Sequence, residues 1–390
     1  MNRYKLKDIS LSKLEYGSGA AACEYDGKTR YVRITDIGNE GTLGTDVVSP
    51  NSVDDKYLLN DGDVLFARTG ATVGKTYLYR SSAGRCIYAG FLIRVVPNQK
   101  IIRPDYLYYF TKSPQYKGFV KNSMKIVAQP NINAKQYGDL EFNVPSLEEQ
   151  DLIIKKLNTI SSLIILRRTE LTRLDELIKA RFVELFGDPI SNNFGWKQVL
   201  LREVTSKIGS GATPRGGKES YQTEGITLIR SMNVHDGRFE YKDLAHITDE
   251  QATQLNNVMV KEGDVFINIT GASVARSCIV PSNALPARVN QHVAIIRCIY
   301  GRLHPVFVNY MFLNDRFKRH LLDIGDSGGA TRQAITKQQL ENLVVILPPM
   351  ILQHKFAAFV EQTDKSKVAV QKSLDKTQQL FDSLMQKYFG

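Results

Sequence analysis

Three kinds of segment are missing from this 390-residue chain, and each absence excludes a class of protein. No stretch approaches the ~18 consecutive apolar residues of a membrane span, so no membrane partner is expected. The start, Met1–Asp8, is charged and lacks an apolar run, which argues against a secretory leader. Cysteine is scarce: Cys23, Cys86, Cys278 and Cys298 are scattered without a CxxC pair. They are expected as reduced, buried thiols of a cytoplasmic protein, with neither a disulfide framework nor a zinc site. The six histidines form no HxxxH or Cys/His cluster, so each reads as a hydrogen-bonded imidazole and no metal is expected.

Catalytic signatures are missing as well. Gly70–Thr76 looks like a phosphate-binding loop but is one residue short of GxxxxGK[ST], and Gly271–Arg276 lacks the Gly-Lys altogether. There is no Asn/Asp-Pro-Pro-aromatic tetrapeptide of the kind that amino methyltransferases use to hold the target amine. Leu347-Pro348-Pro349-Met350 reads as a helix start. Gly-Ser-Gly at 17–19 and 209–211 is too short for a dinucleotide or S-adenosylmethionine fingerprint. Asp63 and Asp264 precede apolar strands and read as turn residues bonding their own backbone. No catalytic residue and no cofactor in this chain are expected.

What is present is a long internal repeat. Ile132, Gln136, Leu140, Pro145 and Gln150 align without a gap on Ile335, Gln339, Leu343, Pro348 and Gln353. A heptad pattern follows each copy. Ile153, Leu157, Ile160, Ile164, Leu171, Leu174, Ile178 and Leu185 occupy one set of a/d positions. Phe356, Val360, Thr363, Lys367, Leu374, Thr377, Phe381 and Tyr388 occupy the other. Sustained a/d apolarity with charged outer positions predicts coiled coil. Short connections favour antiparallel pairing. Ile153, Leu157, Ile160, Leu171, Leu174, Ile178, Phe356, Val360, Leu374 and Phe381 are the candidate helix-pair contacts. Arg167, Arg181 and Lys367 fall at a/d positions too, where polar residues fix register or mark a second protein's docking helix.

The globular halves repeat less strictly. Tyr16–Ala20 aligns with Ile208–Ala212, Arg33–Ile37 with Arg230–Val234, and Asp61–Phe66 with Glu262–Ile267. Thr69–Ala71 recurs as Thr270–Ala272, and Leu92–Arg94 is aligned with Ile295–Arg297. Strands are expected over Thr29–Ile34, Asp63–Ala67, Phe91–Val96, Ile226–Arg230, Asp264–Ile269 and Val293–Cys298, between Gly, Asn, Asp and Pro breaks. One short helix is expected in each half, at Pro104–Thr111 and Pro305–Phe312. Each half thus reads as a curved mixed sheet with small helices. The fold class is α+β with a pseudo-two-fold repeat: domains at 1–146 and 188–348, long helices at 147–187 and 349–390.

The net charge of +11 is unevenly placed. Residues 147–187 carry seven basic and seven acidic residues and 350–390 carry six and four, which leaves +9 for the globular regions. A basic excess there suggests a polyanion partner, with a generically basic surface as the alternative.

Taken together, the chain resembles the specificity subunit of Type I restriction–modification enzymes over essentially its full length. The resemblance rests on Gly211-x-Thr213-Pro214-Arg215, the Gly-Asp-Val strands, Gln333-x-Ile335, Leu347-Pro348-Pro349-(x)3-Gln353 and Phe186-Gly187-Asp188-Pro189. The first half departs, with Gly19-Ala20-Ala21-Ala22 where the second has Gly-Ala-Thr-Pro. The resemblance implies two target-recognition domains, each reading one half of an interrupted, asymmetric site in double-stranded DNA. It implies a helical spacer that docks two modification subunits, which bind S-adenosylmethionine and methylate adenine N6. Two restriction (translocase/nuclease) subunits are a further, optional addition. The runner-up is the DNA-binding part of a fused Type II-like restriction/methylation enzyme.

Loops are the better place for DNA contacts, since strand residues alternate into the core. Arg and Lys bond guanine or phosphate, while Asn and Gln pair with adenine. The candidates in the first half are Ser18, Arg30, Arg33, Arg68, Thr69, Lys75, Lys125 and Gln129. In the second they are Ser210, Thr213, Arg215, Lys218, Arg230, Thr270, Ser273, Arg276, Arg332 and Gln333.

Overall fold

The computed structural model describes residues 2–38, 41–124, 130–214, 217–326 and 333–390, without the side chains of 218 and 220. It contains two compact units: 1–168 with 372–390, and 169–371.

The first unit is built on a four-stranded antiparallel sheet ordered Glu15–Tyr16, Leu92–Val95, Val64–Ala67, Thr76–Leu78. Its central strand, Val64–Ala67, is apolar at every position because both faces are covered. Val64 and Phe66 face one core, with Tyr106, Phe110, Tyr137 and Leu157. Leu65 and Ala67 face another, with Val32, Tyr77 and Tyr88. That second face is closed by the parallel pair Arg30–Val32 and Cys86–Tyr88. The short helices α1 (Pro104–Phe110), α2 (Pro114–Met124) and α3 (Ala134–Gly138) belong to this unit, as does the first part of α4 (Leu147–Phe186).

The second unit repeats the plan. Its sheet runs Thr205–Ser210, Val293–Cys298, Val265–Asn268, Ser277–Ile279. Val265 and Ile267 face one core while Phe266 faces the other. A second sheet joins Ile226–Ile229 to Ala245–Ile247 and, in parallel, to Ala287–Val289. Its helices are α5 (Asp249–Gln254), α6 (Pro305–Leu313), α7 (Asp315–Asp326), α8 (Lys337–Glu341) and most of α9 (Met350–Phe389).

Several expectations are corrected. Each half holds several small sheets rather than one curved mixed sheet, because the strands are only two to six residues long and end in turns and short 3-10 segments. Among the described residues, three short α-helices in the first unit and four in the second replace the single one expected in each. Three of the missed ones, α3, α5 and α8, carry capping boxes: Asn133 with Gln136, Thr248 with Gln251 and Thr336 with Gln339. Cys23 is exposed and Cys298 only half-buried, so two of the four thiols are not in the core.

Strand pairing also shifts two of the aligned anchors. Phe66 lies opposite Ile93 and Ile267 opposite Ala294, so Leu92–Arg94 corresponds to Val293–Ile295, two residues earlier than aligned. Tyr16 also lies opposite Ile93 and Ser210 opposite Ala294, which equates Tyr16 with Ser210 and Gly17 with Gly211. Steric contact agrees. A Cβ on Gly17 would strike the Tyr88 carbonyl, and one on Gly211 the Val289 carbonyl, whereas Gly19 and Gly209 face open space. A two-residue slip keeps every side chain on its face, so pattern alone does not detect it.

Each long helix has 40 residues, about 60 Å. They run antiparallel inside each unit. Arg167 donates to the Ser373 carbonyl (2.7 Å) in the first, and Lys367 pairs with Asp175 (2.7 Å) in the second. These two polar a/d residues thus bond the opposite helix and fix its register, while the third, Arg181, pairs with Glu184 of its own helix (2.6 Å). Ile153, Leu157, Ile160, Ile178, Phe356, Val360 and Leu374 are buried, while Leu171, Leu174 and Phe381 are half-buried. Thr363 and Thr377 satisfy their hydroxyls on the Phe359 and Ser373 carbonyls. At the C-terminal turns the buried stripe moves to Phe182 and Phe186, and to Met385 and Phe389, leaving Leu185 and Tyr388 only half-buried. A straight helix drifts off a seven-residue repeat in this direction. These turns pack on globular cores, against Phe307 in one unit and Tyr106 in the other.

Candidate nucleic-acid interface

The candidate surface of the second unit is a cleft of about 620 Å³ whose lining includes Ser231, Thr270, Ser273, Arg276, His292 and Gln333. The Thr-Gly-Ala turn forms one wall. Gly271 sits at φ +75°, a left-handed conformation that favours glycine. Its N–H donates to the Gln333 carbonyl, and Ile335 N–H donates to the Ile269 carbonyl. Gln333, sixty-odd residues away in sequence, is thereby brought beside Thr270. Among the described residues nothing pairs with the Arg276 guanidinium, which leaves it available to an anion.

A side-chain chain crosses this surface. Thr213 hydroxyl donates to Gln291 Oε1, and Gln291 Nε2 lies 3.2 Å from His292 Nε2. His292 Nδ1 lies 2.5 Å from Thr270 Oγ1. With the Gln291 amide donating to Nε2, the imidazole proton sits on Nδ1 and points at Thr270. Four predicted residues (Thr270, Ser273, Arg276, Gln333) line the cleft and a fifth, Thr213, is tied to it. Gln291 and His292 were missed; a polar pair between two apolar strands (Ala287–Val289 and Val293–Cys298) was the available signal.

The first unit builds the same turn. Gly70 has φ +69°, its N–H donates to the Pro130 carbonyl, and Ile132 N–H donates to the Arg68 carbonyl. Thr69 bridges to Asn131. The Arg68 guanidinium stacks on the Tyr16 ring at 4.6 Å. Lys75 donates to the Ile37 carbonyl at 3.3 Å.

Other candidates serve the fold instead. Ser18 is 6% exposed, and its hydroxyl accepts from Ala20 N–H, so it holds the loop rather than facing a ligand. Arg33 clasps Asp36 through two nitrogens and Asp46 at 2.8 Å, and these carboxylates hold its pKa well above the ordinary value. Arg30 donates to the Gly44 carbonyl, and Arg230 donates to the Asp243 carbonyl while lying over the Tyr221 ring. Each closes the excursion that follows its own strand. Ser210 is a half-buried strand residue opposite Ala294. Lys125, Gln129, Arg215 and Arg332 lie outside the described residues, as does the Lys218 side chain.

Asp63 and Asp264 cap turns as expected, accepting from Asn60 and Lys261 N–H. Each also faces an arginine. Arg297 holds Asp264 with two bonds (2.7 and 2.8 Å), while Arg94 approaches Asp63 only to 4.0 Å. The two arginines stand on different rungs of the sheet yet serve equivalent aspartates. Among the described residues no three His, Cys, Asp or Glu cluster as a metal site would need, and no helix is long and apolar enough to cross a membrane.

The model of the Type I restriction modification DNA specificity domain matches this chain twice, over residues 3–176 and 193–380. The Type I restriction enzyme StySPI specificity subunit of Salmonella potsdam is 22% identical over 380 residues, covering 92% of this chain and 81% of that protein. The S subunit of a Type I restriction–modification system from M. genitalium superposes with a TM-score of 0.60 at 13% identity, covering 100% of this chain and 96% of that one. A chain solved in work on complex assembly and conformational transition of the type I R-M system gives 0.58 at 19% identity, covering 100% and 97%. With two copies of its domain spanning nearly all of the sequence, the chain belongs to the Type I restriction modification DNA specificity family, as a non-catalytic specificity subunit.

Proposed function

We propose that each unit reads one half of an interrupted, asymmetric DNA site, and that the two long helices set the distance between the halves. One observation carries this reading. The two units share a framework (the Gly-Asp strand, the Thr-Gly-Ala turn, the aspartate–arginine contact) but differ in the side chains around the turn. Framework residues alike and contact residues different is the pattern that two different half-sites require. Half-sites read from one face of a duplex lie about one turn, ~34 Å, apart, a distance that helices of ~60 Å can span.

The helices also dock two adenine-N6 modification subunits, which bring S-adenosylmethionine; this chain holds no cofactor of its own. Restriction subunits join through them, and the assembly works on DNA in the cytoplasm. The basic excess in the globular regions supports a polyanion partner. The test is to sequence the methylated motif in cells that carry the chain with its modification subunit. A bipartite motif with an unspecified spacer is expected. One uninterrupted motif would overturn the reading, as would methyl transfer by the isolated chain from labelled S-adenosylmethionine.

A further inference from the structure

The strand pairing equates one exposed turn in the two units. In the first, Arg68 N–H donates to the Phe91 carbonyl; in the second, Ile269 N–H donates to the His292 carbonyl. Phe91 and His292 therefore occupy the same place, just before the Leu92–Val95 and Val293–Cys298 strands, with Gly90 matched to Gln291. The backbone is shared but the side chains are not. Phe91 is a large aromatic left 58% exposed, which nothing among the described residues of its own unit explains. Gln291 is exposed yet held between Thr213 and His292.

We propose that this turn determines specificity in each half-site: Gln291 reads an adenine in one, and Phe91 contacts a thymine methyl group in the other. The proposal rests on the DNA-reading function above. A glutamine amide has two lone pairs and two N–H groups. Thr213 occupies one lone pair and His292 one N–H, so one acceptor and one donor remain. That pair is what adenine N6 and N7 require for a bidentate contact in the major groove. The neighbours also hold the long side chain still, which lowers the entropy lost on binding. Phe91 has no polar atom to offer a base edge, and an apolar contact to the thymine methyl suits it. Thr213 and His292 are positioning residues in this scheme.

Selection from a randomised duplex library tests it, using the full chain assembled with its modification subunits. Gln291→Glu keeps the shape but replaces the donor with an acceptor. Discrimination for one adenine should fall by about 5- to 150-fold, in the half-site read by the second unit only. Phe91→Ala should relax one thymine in the other half-site, and Thr213→Val should weaken the Gln291 effect without adding a new position. If Gln291→Glu and Phe91→Ala both select the wild-type motif, the proposal is overturned while half-site reading stands. A loss of affinity uniform across sequences, with a smaller salt dependence, would assign the turn to phosphate and also overturn it. If the wild-type assembly selects no bipartite motif, the underlying function fails first.

Discussion

Arg297→Met isolates the buried charge at the base of the second unit's sheet. Asp264 is fully buried and accepts two bonds from Arg297, at 2.7 and 2.8 Å, besides one from Lys261 N–H. Methionine keeps the apolar stem but strands the carboxylate. Removing one partner of a buried pair costs about 3–5 kcal/mol. Arg94→Met in the first unit is the matched control. Arg94 also donates to a backbone carbonyl, Leu58, as Arg297 does to Met259, so that loss is common to both variants. Arg94 stands 4.0 Å from Asp63, however, so its removal should cost only about 1–2 kcal/mol. Arg94→Met also loses the pair with the half-exposed Glu15 (3.1 Å), worth under about 1 kcal/mol, so the difference, about 2–3 kcal/mol, is a lower bound on the tighter carboxylate contact. The sole tryptophan, Trp196, lies in the second unit and reports its urea unfolding, while hydrogen exchange follows both units. The Arg297→Met midpoint should fall by roughly 1–3 M. Equal losses in the two variants, or less than about 1 kcal/mol for Arg297→Met, would refute the reasoning.

Phe356→Ala removes a fully buried ring 5.5 Å from Phe182 and 5.6 Å from Phe186; it should cost about 3–5 kcal/mol in chemical denaturation, with exchange loss confined to the second unit. Cys23 should be the thiol that iodoacetamide labels in the native protein. Burial pushes Cys86 to about 11 and Cys278 and Cys298 to about 12, so labelling counted by mass spectrometry should rise only on unfolding. His304 has its pKa lowered by burial and by His354, and its Nδ1 caps α6 by accepting from Val306 N–H. The unfolded chain thus binds the proton more readily, so stability is present at neutral pH and lost as pH falls through about 6.5. Exchange at the start of α6 should accelerate there, and the corresponding region of the first unit, where Arg103 pairs with Asp151, should not follow. An identical response in both regions would sink this.

Much of the architecture was legible because it rests on local pattern. Heptad spacing marked both long helices, and Pro348-Pro349 marked the start of one. The apolar runs at 64–67 and 265–267 marked strands, though only the structure showed both of their faces covered. The repeat itself named the Thr-Gly-Ala turns, since a left-handed φ admits few residues but glycine. Tertiary structure decided the rest. Strand register was beyond reach because a slip of two residues leaves every side chain on its original face, so Gly17 was matched to the wrong glycine. Arg33 and Arg230 look like free cations in a linear sequence; only the fold returns Asp46 and the Asp243 carbonyl to meet them. Gln291 and His292 carry no motif, and their link to Thr213 and Thr270 exists only where three separate loops converge. Local periodicity is written in neighbouring residues, whereas a binding surface depends on which distant side chains the sheet leaves without partners.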